Sequence, residues 1–150
     1  MRIAIGSDHR GYHLKEQIIG MLRSKGHDVL DEGTCGTESV DYPDFAVLVA
    51  KKVSQGVAER GVLICGTGIG MAVTANKFSG VRAAPCNDEV TAEISRRHND
   101  LNVLCLSADM LSPRTVERMV EVWLTTPFEG GRHERRVEKI HQLEKELGCP

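Results

Sequence analysis

The chain has 150 residues, enough for one domain, 1–150, with a proper hydrophobic core. It is 41% hydrophobic and 27% charged, the composition of a soluble globular protein. A formal net charge of -2 and 4% aromatic residues argue against nucleic-acid binding, and the lack of an uncharged apolar run of roughly 18 residues argues against a membrane span.

In chain order, "RIAIG" (2–6) reads as a buried parallel strand ending in a turn signal. Residues 10–25 carry Leu14, Ile18, Met21 and Leu22 at helical spacing, with Gly26 as a C-cap. A second strand is expected over 27–33, then a helix over 42–56 with Pro43 in its first turn. The order repeats as strand 61–65, helix 68–77, strand 81–86, helix 88–98, strand 102–106 and helix 112–124. A last amphipathic segment, 131–147, places Val137, Ile140, Leu143 and Leu147 on one face. This alternation predicts an α/β fold: a Rossmann-like three-layer α/β/α sandwich with a five-stranded parallel sheet and a C-terminal helix.

The N-terminal apolar stretch is too short for a signal-peptide core. Five cysteines (Cys35, Cys65, Cys86, Cys105, Cys149) form neither a disulfide framework nor a zinc ribbon. Reduced thiols in a cytoplasm are expected, most of them acting as small buried hydrophobes. The His-Xaa-Glu/His motifs of zinc sites are missing, so no metal is expected.

Ligands of such sheets bind beyond the carboxyl ends of the strands. Asp8 and His9, Cys65 to Thr67, Cys86 with Asn87, and Ser107 to Asp109 all fall on that edge. The stretch "CGTGIGM" (65–71) fits a dinucleotide fingerprint poorly: Gly66 and Gly68 match, but Met71 stands where a third glycine is needed. The acidic ribose-binding residue has only Asp88 as a weak candidate. A glycine turn opening a helix remains a place for an oxyanion. A thiolate is favoured beside such a helix start. Cys65 next to an anion hole therefore suggests proton abstraction beside a carbonyl, as against a strand-end cysteine that merely packs.

His98 and Asn99 in "SRRHND" end the helix 88–98, at the edge opposite Cys65. His98 is thus either satisfied by helix-terminal carbonyls or serves a neighbouring subunit. Arg132 and Arg136, four residues apart, either clamp a phosphate or belong to a solvated charged face. Asp8 either caps the following helix or accepts a substrate hydroxyl.

The segments "IAIGSDHRGYHLK", "DEGT", "DYPDFA", "ICGTGIGMAVTANK", "SRRHNDLNVL" and "TPFEGGRHERRVEKI" together resemble the ribose-5-phosphate isomerase B family, related to bacterial galactose-6-phosphate isomerase subunits. The resemblance implies interconversion of ribose 5-phosphate and ribulose 5-phosphate without metal or organic cofactor. It implies Cys65 as the base that moves a proton between C2 and C1, with amides of the 66–70 turn, Gly66, Gly68 and Gly70 among them, holding cis-enediolate oxygens. Thr67, His98 and Asp8 match positions that open the furanose ring or grip its hydroxyls. Tyr42 and Asn99 match substrate contacts, and His9, Arg132 and Arg136 match phosphate contacts. The family is dimeric or tetrameric with shared sites, so a homo-oligomer is implied, with His98 acting in the partner's site. Some members use a glutamate at the position of Met71; this chain, with Cys65, resembles the cysteine-base branch.

One position departs from the family pattern. Asp109 stands where many members carry a phosphate-binding arginine. Either Arg132, Arg136 and His9 suffice, or Arg10, Arg82 or Arg97 compensates, or the substrate is a different sugar phosphate. The rivals are isomerisation of allose 6-phosphate or galactose 6-phosphate, and a non-catalytic module binding a sugar phosphate or nucleotide. A thiol redox protein is disfavoured, because no resolving cysteine lies near Cys65 in sequence.

Overall fold

A computed structural model describes residues 1–148; the predicted thiol Cys149 lies outside them. Five parallel strands form one sheet: β1 (Arg2–Ser7), β2 (Asp28–Asp31), β3 (Arg60–Cys65), β4 (Ala83–Pro85) and β5 (Val103–Ser107), in the order β2-β1-β3-β5-β4. The helices are α1 (Tyr12–Ser24), α2 (Tyr42–Ser54), α3 (Ile69–Ala75), α4 (Glu89–Asn99), α5 (Pro113–Thr125) and α6 (Arg132–Glu146). None is long and apolar enough to cross a membrane.

Strand alternation sorts the core into two layers. Ile3, Ile5, Val62, Ile64, Leu104 and Leu106 face α1, α4 and α5, where Trp123 is fully buried. Ala4, Leu63, Cys65, Val103 and Cys105 face α2 and α3. The second layer is thin because α2 lies close. A Cβ at Gly6 or at Gly61 would stand 2.9 Å from Val49.

The ends of the elements differ from the sequence expectation in instructive ways. Strand 2 stops at Asp31, where Gly33 turns across the buried Lys15, which donates to both oxygens of Asp31. Strand 4 keeps three residues, and Asn102 and Val103 both donate to the carbonyl of Arg82 just before it. Gly26 and Gly56 follow their helices with φ of +83° and +71°, the left-handed stop that glycine adopts without strain. Asp88, weighed as a ribose ligand, instead caps α4: its side chain accepts from the Thr91 amide at 2.6 Å in a capping box. Of the apolar face of α6, only Val137 is buried; Ile140, Leu143 and Leu147 stay exposed.

Candidate active site

From β1 the chain turns to one side of the sheet for β2, then crosses to the other side for β3. The carboxyl ends of β1 and β3 therefore border the crevice that this topology opens. Ser7 lies in register with Ile64, so the Asp8–Arg10 turn and the Cys65–Gly68 turn leave the sheet side by side. Gly11 lets the first of these turns sit down on β3: a Cβ there would meet Ile64 at 2.7 Å.

The Cys65 turn is fixed by backbone. Ala108 donates to the Cys65 carbonyl at 2.9 Å and Asp109 to the Gly66 carbonyl at 3.2 Å. The Ser107 hydroxyl donates to the same Gly66 oxygen at 2.6 Å. Gly68 has φ +79° and a hydrogen where a Cβ would stand 3.2 Å from the backbone of Leu106. Only glycine meets both demands at that position.

Cys65 is 4% exposed at the end of β3, and the Gly68 amide donates to its sulfur at 3.1 Å. That bond puts partial positive charge where a thiolate would sit. The Thr67 hydroxyl accepts from the Ile69 amide at 3.3 Å. The amides of Gly66, Thr67 and Gly70 have no acceptor among the described residues. They are free to meet an oxyanion.

An open cleft of about 610 Å³ lies over this turn, walled by Asp8, Arg10, Tyr42, Cys65, Thr67 and Asp109 among others. The Tyr42 ring, at the start of α2, covers Gly70 so closely that a Cβ there would stand 2.5 Å from it. Asp8 is buried, and its Oδ1 accepts from the amides of Arg10 at 3.0 Å and Gly11 at 3.2 Å. It holds the turn before α1; it is not the cap of α1, which is Gly11. His9 accepts at Nδ1 from the Val40 amide at 3.2 Å, tying the strand end to the loop that leads into Tyr42.

The remaining predicted residues gather elsewhere. α4 runs back along the sheet, and its 11 residues span about 16 Å at 1.5 Å each. His98 and Asn99 therefore lie at the opposite edge from Cys65. There the start of α6 meets them, bringing Arg132 and Arg136. His98 stacks on the buried His133, ring centroids 4.1 Å apart and planes 7° from parallel. Glu129 faces both rings, at 3.9 Å from His98 and 3.6 Å from His133. Hydrogen bonding from Arg97 holds the Glu129 carboxyl below its ordinary range. Burial, then the neighbouring His98 and Arg132, push the His133 imidazole down.

His98, Glu129 and His133 offer three ligand atoms within 4.8 Å of one another, a grouping with no spacing signature in the sequence. The geometry does not fit a metal. Parallel stacked rings point their lone pairs side by side rather than at a shared centre.

Of the three arginines considered as compensators for Asp109, only Arg10 reaches the cleft. Arg82 donates to the carbonyls of Asn99 and Asp100, and Arg97 pairs with Glu93 and Glu129. Arg10 donates to Asp109 Oδ2 from Nε at 2.9 Å and from Nη2 at 2.5 Å. Cys86 is buried in the layer against α4 and α5 and takes no part in the cleft. Cys105 is buried as well, while Cys35 is exposed. Missed entirely were His133, its stacking and its carboxylate. In "TPFEGGRHERRVEKI" the four-residue spacing of Arg132 and Arg136 carries the signal, and nothing local marks His133.

Comparison with known proteins agrees with this geometry. The family described as Ribose/Galactose Isomerase matches residues 3–140. Ribose-5-phosphate isomerase B of Escherichia coli is 43% identical over 144 residues, covering 96% of this chain and 97% of that one. A Clostridium thermocellum ribose-5-phosphate isomerase B structure superposes with a TM-score of 0.96 at 48% identity, covering 98% of this chain and 99% of that one. A Mycoplasma genitalium ribose-5-phosphate isomerase B, solved with bound ribulose-5-phosphate, gives 0.94 at 45% identity and 97% coverage of both chains. With its sheet order, its cysteine-edged glycine turn and these full-length similarities, the chain belongs to the ribose/galactose isomerase family.

Proposed function

We propose that the protein interconverts ribose 5-phosphate and ribulose 5-phosphate through a cis-enediolate, with Cys65 as the base. The observation that carries this is the sulfur at the end of β3, given a 3.1 Å amide donor by Gly68 and flanked by unoccupied amides of the same turn. With the sugar ring open, the Cys65 thiolate takes the proton from C2 of the aldose. The electron pair moves into a C1–C2 double bond, and charge develops on the C1 oxygen. Amides of Gly66, Thr67 and Gly70 are placed to hold that oxygen. A proton passes from the C2 hydroxyl to the C1 oxygen, and the thiol then returns its own proton to C1, leaving the ketose at C2. Asp8, Thr67 and Tyr42 line the space in which the sugar hydroxyls would lie.

The working unit of this reading is a dimer. His98 and Asn99 end α4, and Arg132 and Arg136 start α6 beside them, too far away to serve their own chain's cleft. Ile69 and Val73 on α3, with Val90 and Ile94 on α4, are exposed apolar residues at helical spacing, and the first two border the cleft. A second copy laid over them would cover this patch and deliver its own His98 and Arg136 to Cys65. The phosphate then lies between the subunits, and His98 assists ring opening. Thiols without disulfide partners suit a reducing cytoplasm.

Subunit mixing tests the whole reading. Cys65→Ala and His98→Asn chains, each inactive alone on ribose 5-phosphate, should regain activity when unfolded and refolded together. Random pairing in an isologous dimer restores about a quarter of the wild-type sites. No recovery in well-folded mixed dimers sinks the shared site. Turnover of six-carbon phosphates alone would move the protein to the sibling reaction.

A further inference from the structure

The Arg10–Asp109 pair has no part in the chemistry above, yet it stands directly over the catalytic turn. A Cβ on Gly66 would sit 2.9 Å from Asp109 Oδ2 and 3.1 Å from Arg10 Nε, so the pair lies against the backbone that follows Cys65. It joins residues 99 apart in sequence, across the carboxyl ends of β1 and β5.

Among the described residues lining the cleft, Arg10 is the only cation. The other acid there, Asp8, is buried and engaged by the amides of Arg10 and Gly11. Both bonds from Arg10 go to one oxygen of Asp109, from Nε and Nη2. Nη1 has no acceptor among the described residues. Asp109 thus holds one edge of the guanidinium and leaves the other edge with N–H donors. A planar, permanently charged fork of this kind matches the oxygens of a phosphate monoester.

The pair is also too exposed to be explained by stability. The two side chains are 55% and 40% accessible, and pairs of that kind contribute little to folding. Its charge matters more to what enters the cleft. Alone, Asp109 would present a carboxylate to an incoming dianion; bridged by Arg10, it presents donors instead.

We propose that Arg10 is the substrate-phosphate ligand supplied by the cleft's own chain, and that Asp109 is its positioning residue. This rests on the sugar-phosphate reading given above. It adds to the proposed site a contact from the chain that carries Cys65, complementing the cations that the partner subunit would bring.

The test uses the full-length protein, with steady-state kinetics on ribose 5-phosphate and binding of inorganic phosphate by calorimetry. Arg10→Ala should raise KM, and the dissociation constant of inorganic phosphate, by roughly 10- to 100-fold, the range of one hydrogen-bonded charge contact. Its kcat should change only a few-fold. Arg10→Gln, which keeps the side-chain stem, should show the same loss if the Ala variant folds poorly. Asp109→Ala should weaken both readouts less than Arg10→Ala. The double variant Arg10→Ala/Asp109→Ala should bind better than Arg10→Ala alone, because the unpaired carboxylate is gone. A generic surface ion pair predicts no such rescue. KM and phosphate binding within about twofold of wild type in both Arg10 variants would overturn the proposal. So would an Asp109→Ala loss as large as that of Arg10→Ala with phosphate binding intact, which would make Asp109 a hydroxyl acceptor. If wild type binds inorganic phosphate through Arg10 yet fails to turn over ribose 5-phosphate, the isomerase reading falls and the role of Arg10 stands.

Discussion

The Cys65 cleft and the α4–α6 cluster are both polar, but different forces hold them. At the cleft, main-chain bonds from Ala108 and Asp109 lock the turn, and steric limits at Gly11, Gly68 and Gly70 set how closely its walls approach. At the α4–α6 cluster, one carboxylate, Glu129, faces Arg97, His98 and His133, with the exposed Arg132 and Arg136 beside them. The first is rigid and suits a step in which atoms must be placed to a fraction of an ångström. The second is a set of long cations around a stacked pair of rings, suited to gathering an anion brought by another chain.

The largest expected effect lies in the rigid region. Cys65→Ala should lower kcat by about 10²- to 10⁴-fold, the range for a lost general base, with little change in the binding of inorganic phosphate. Loss of exchange of the C2 proton with solvent should accompany it. Retained kcat would remove Cys65 from the chemistry and leave the cleft a binding site only.

Next is Gly70→Ala, which tests whether the cleft depends on close approach. The added methyl would meet the Tyr42 ring at 2.5 Å, and the half-exposed ring has room to swing outward. Stability should barely move, while kcat/KM falls by roughly 10- to 100-fold as the wall shifts. Wild-type kinetics in this variant would show that Tyr42 does not position substrate. In the cationic region, by contrast, Arg136→Ala should raise KM by about tenfold and leave kcat nearly unchanged, as expected of binding shared equally by ground and transition states. A fall in kcat alone would assign Arg136 to the transition state.

The same contrast explains what was legible in sequence. Strand alternation, the apolar spacing of the helices and the glycine turn are local signals, and they located the sheet, its carboxyl edge and Cys65. The order of β5 and β4 was not local: β5 inserts between β3 and β4, and nothing in the apolar runs specifies that. Asp88 illustrates the limits of spacing, since an acid before a helix serves its cap as readily as a ribose. Arg10 stood beside Arg82 and Arg97 as a compensator for Asp109, and the sequence could not choose among them, because 99 residues separate Arg10 from Asp109 and only the fold joins them. The burial and stacking of His133 depend on where α6 docks on α4, a tertiary fact that no local pattern carries.

The smallest expected effect is a pH dependence in that docking. His133 is buried beneath His98, with Arg132 and Arg136 on its own helix and with Glu129 and Arg97 opposite. Burial is the first cause lowering its proton affinity, and the neighbouring positive groups add to it; Glu129 opposes them. A histidine held below its ordinary value of 6.5 is stabilised in the fold as the neutral ring. Its contribution is complete above that value and is lost as pH falls through the lowered folded value, because the unfolded chain takes up the proton first. Melting temperature should therefore decline as pH drops from 7 towards 5. His133→Phe keeps a ring against His98 but cannot take a proton, so its decline over the same window should be shallower by a few degrees. Parallel curves for the two proteins would mean that the titration of His133 does not govern the docking of α6. A loss of stability that begins only below the ordinary carboxyl value of 4.5 would belong instead to Glu129, whose carboxyl is held down by Arg97.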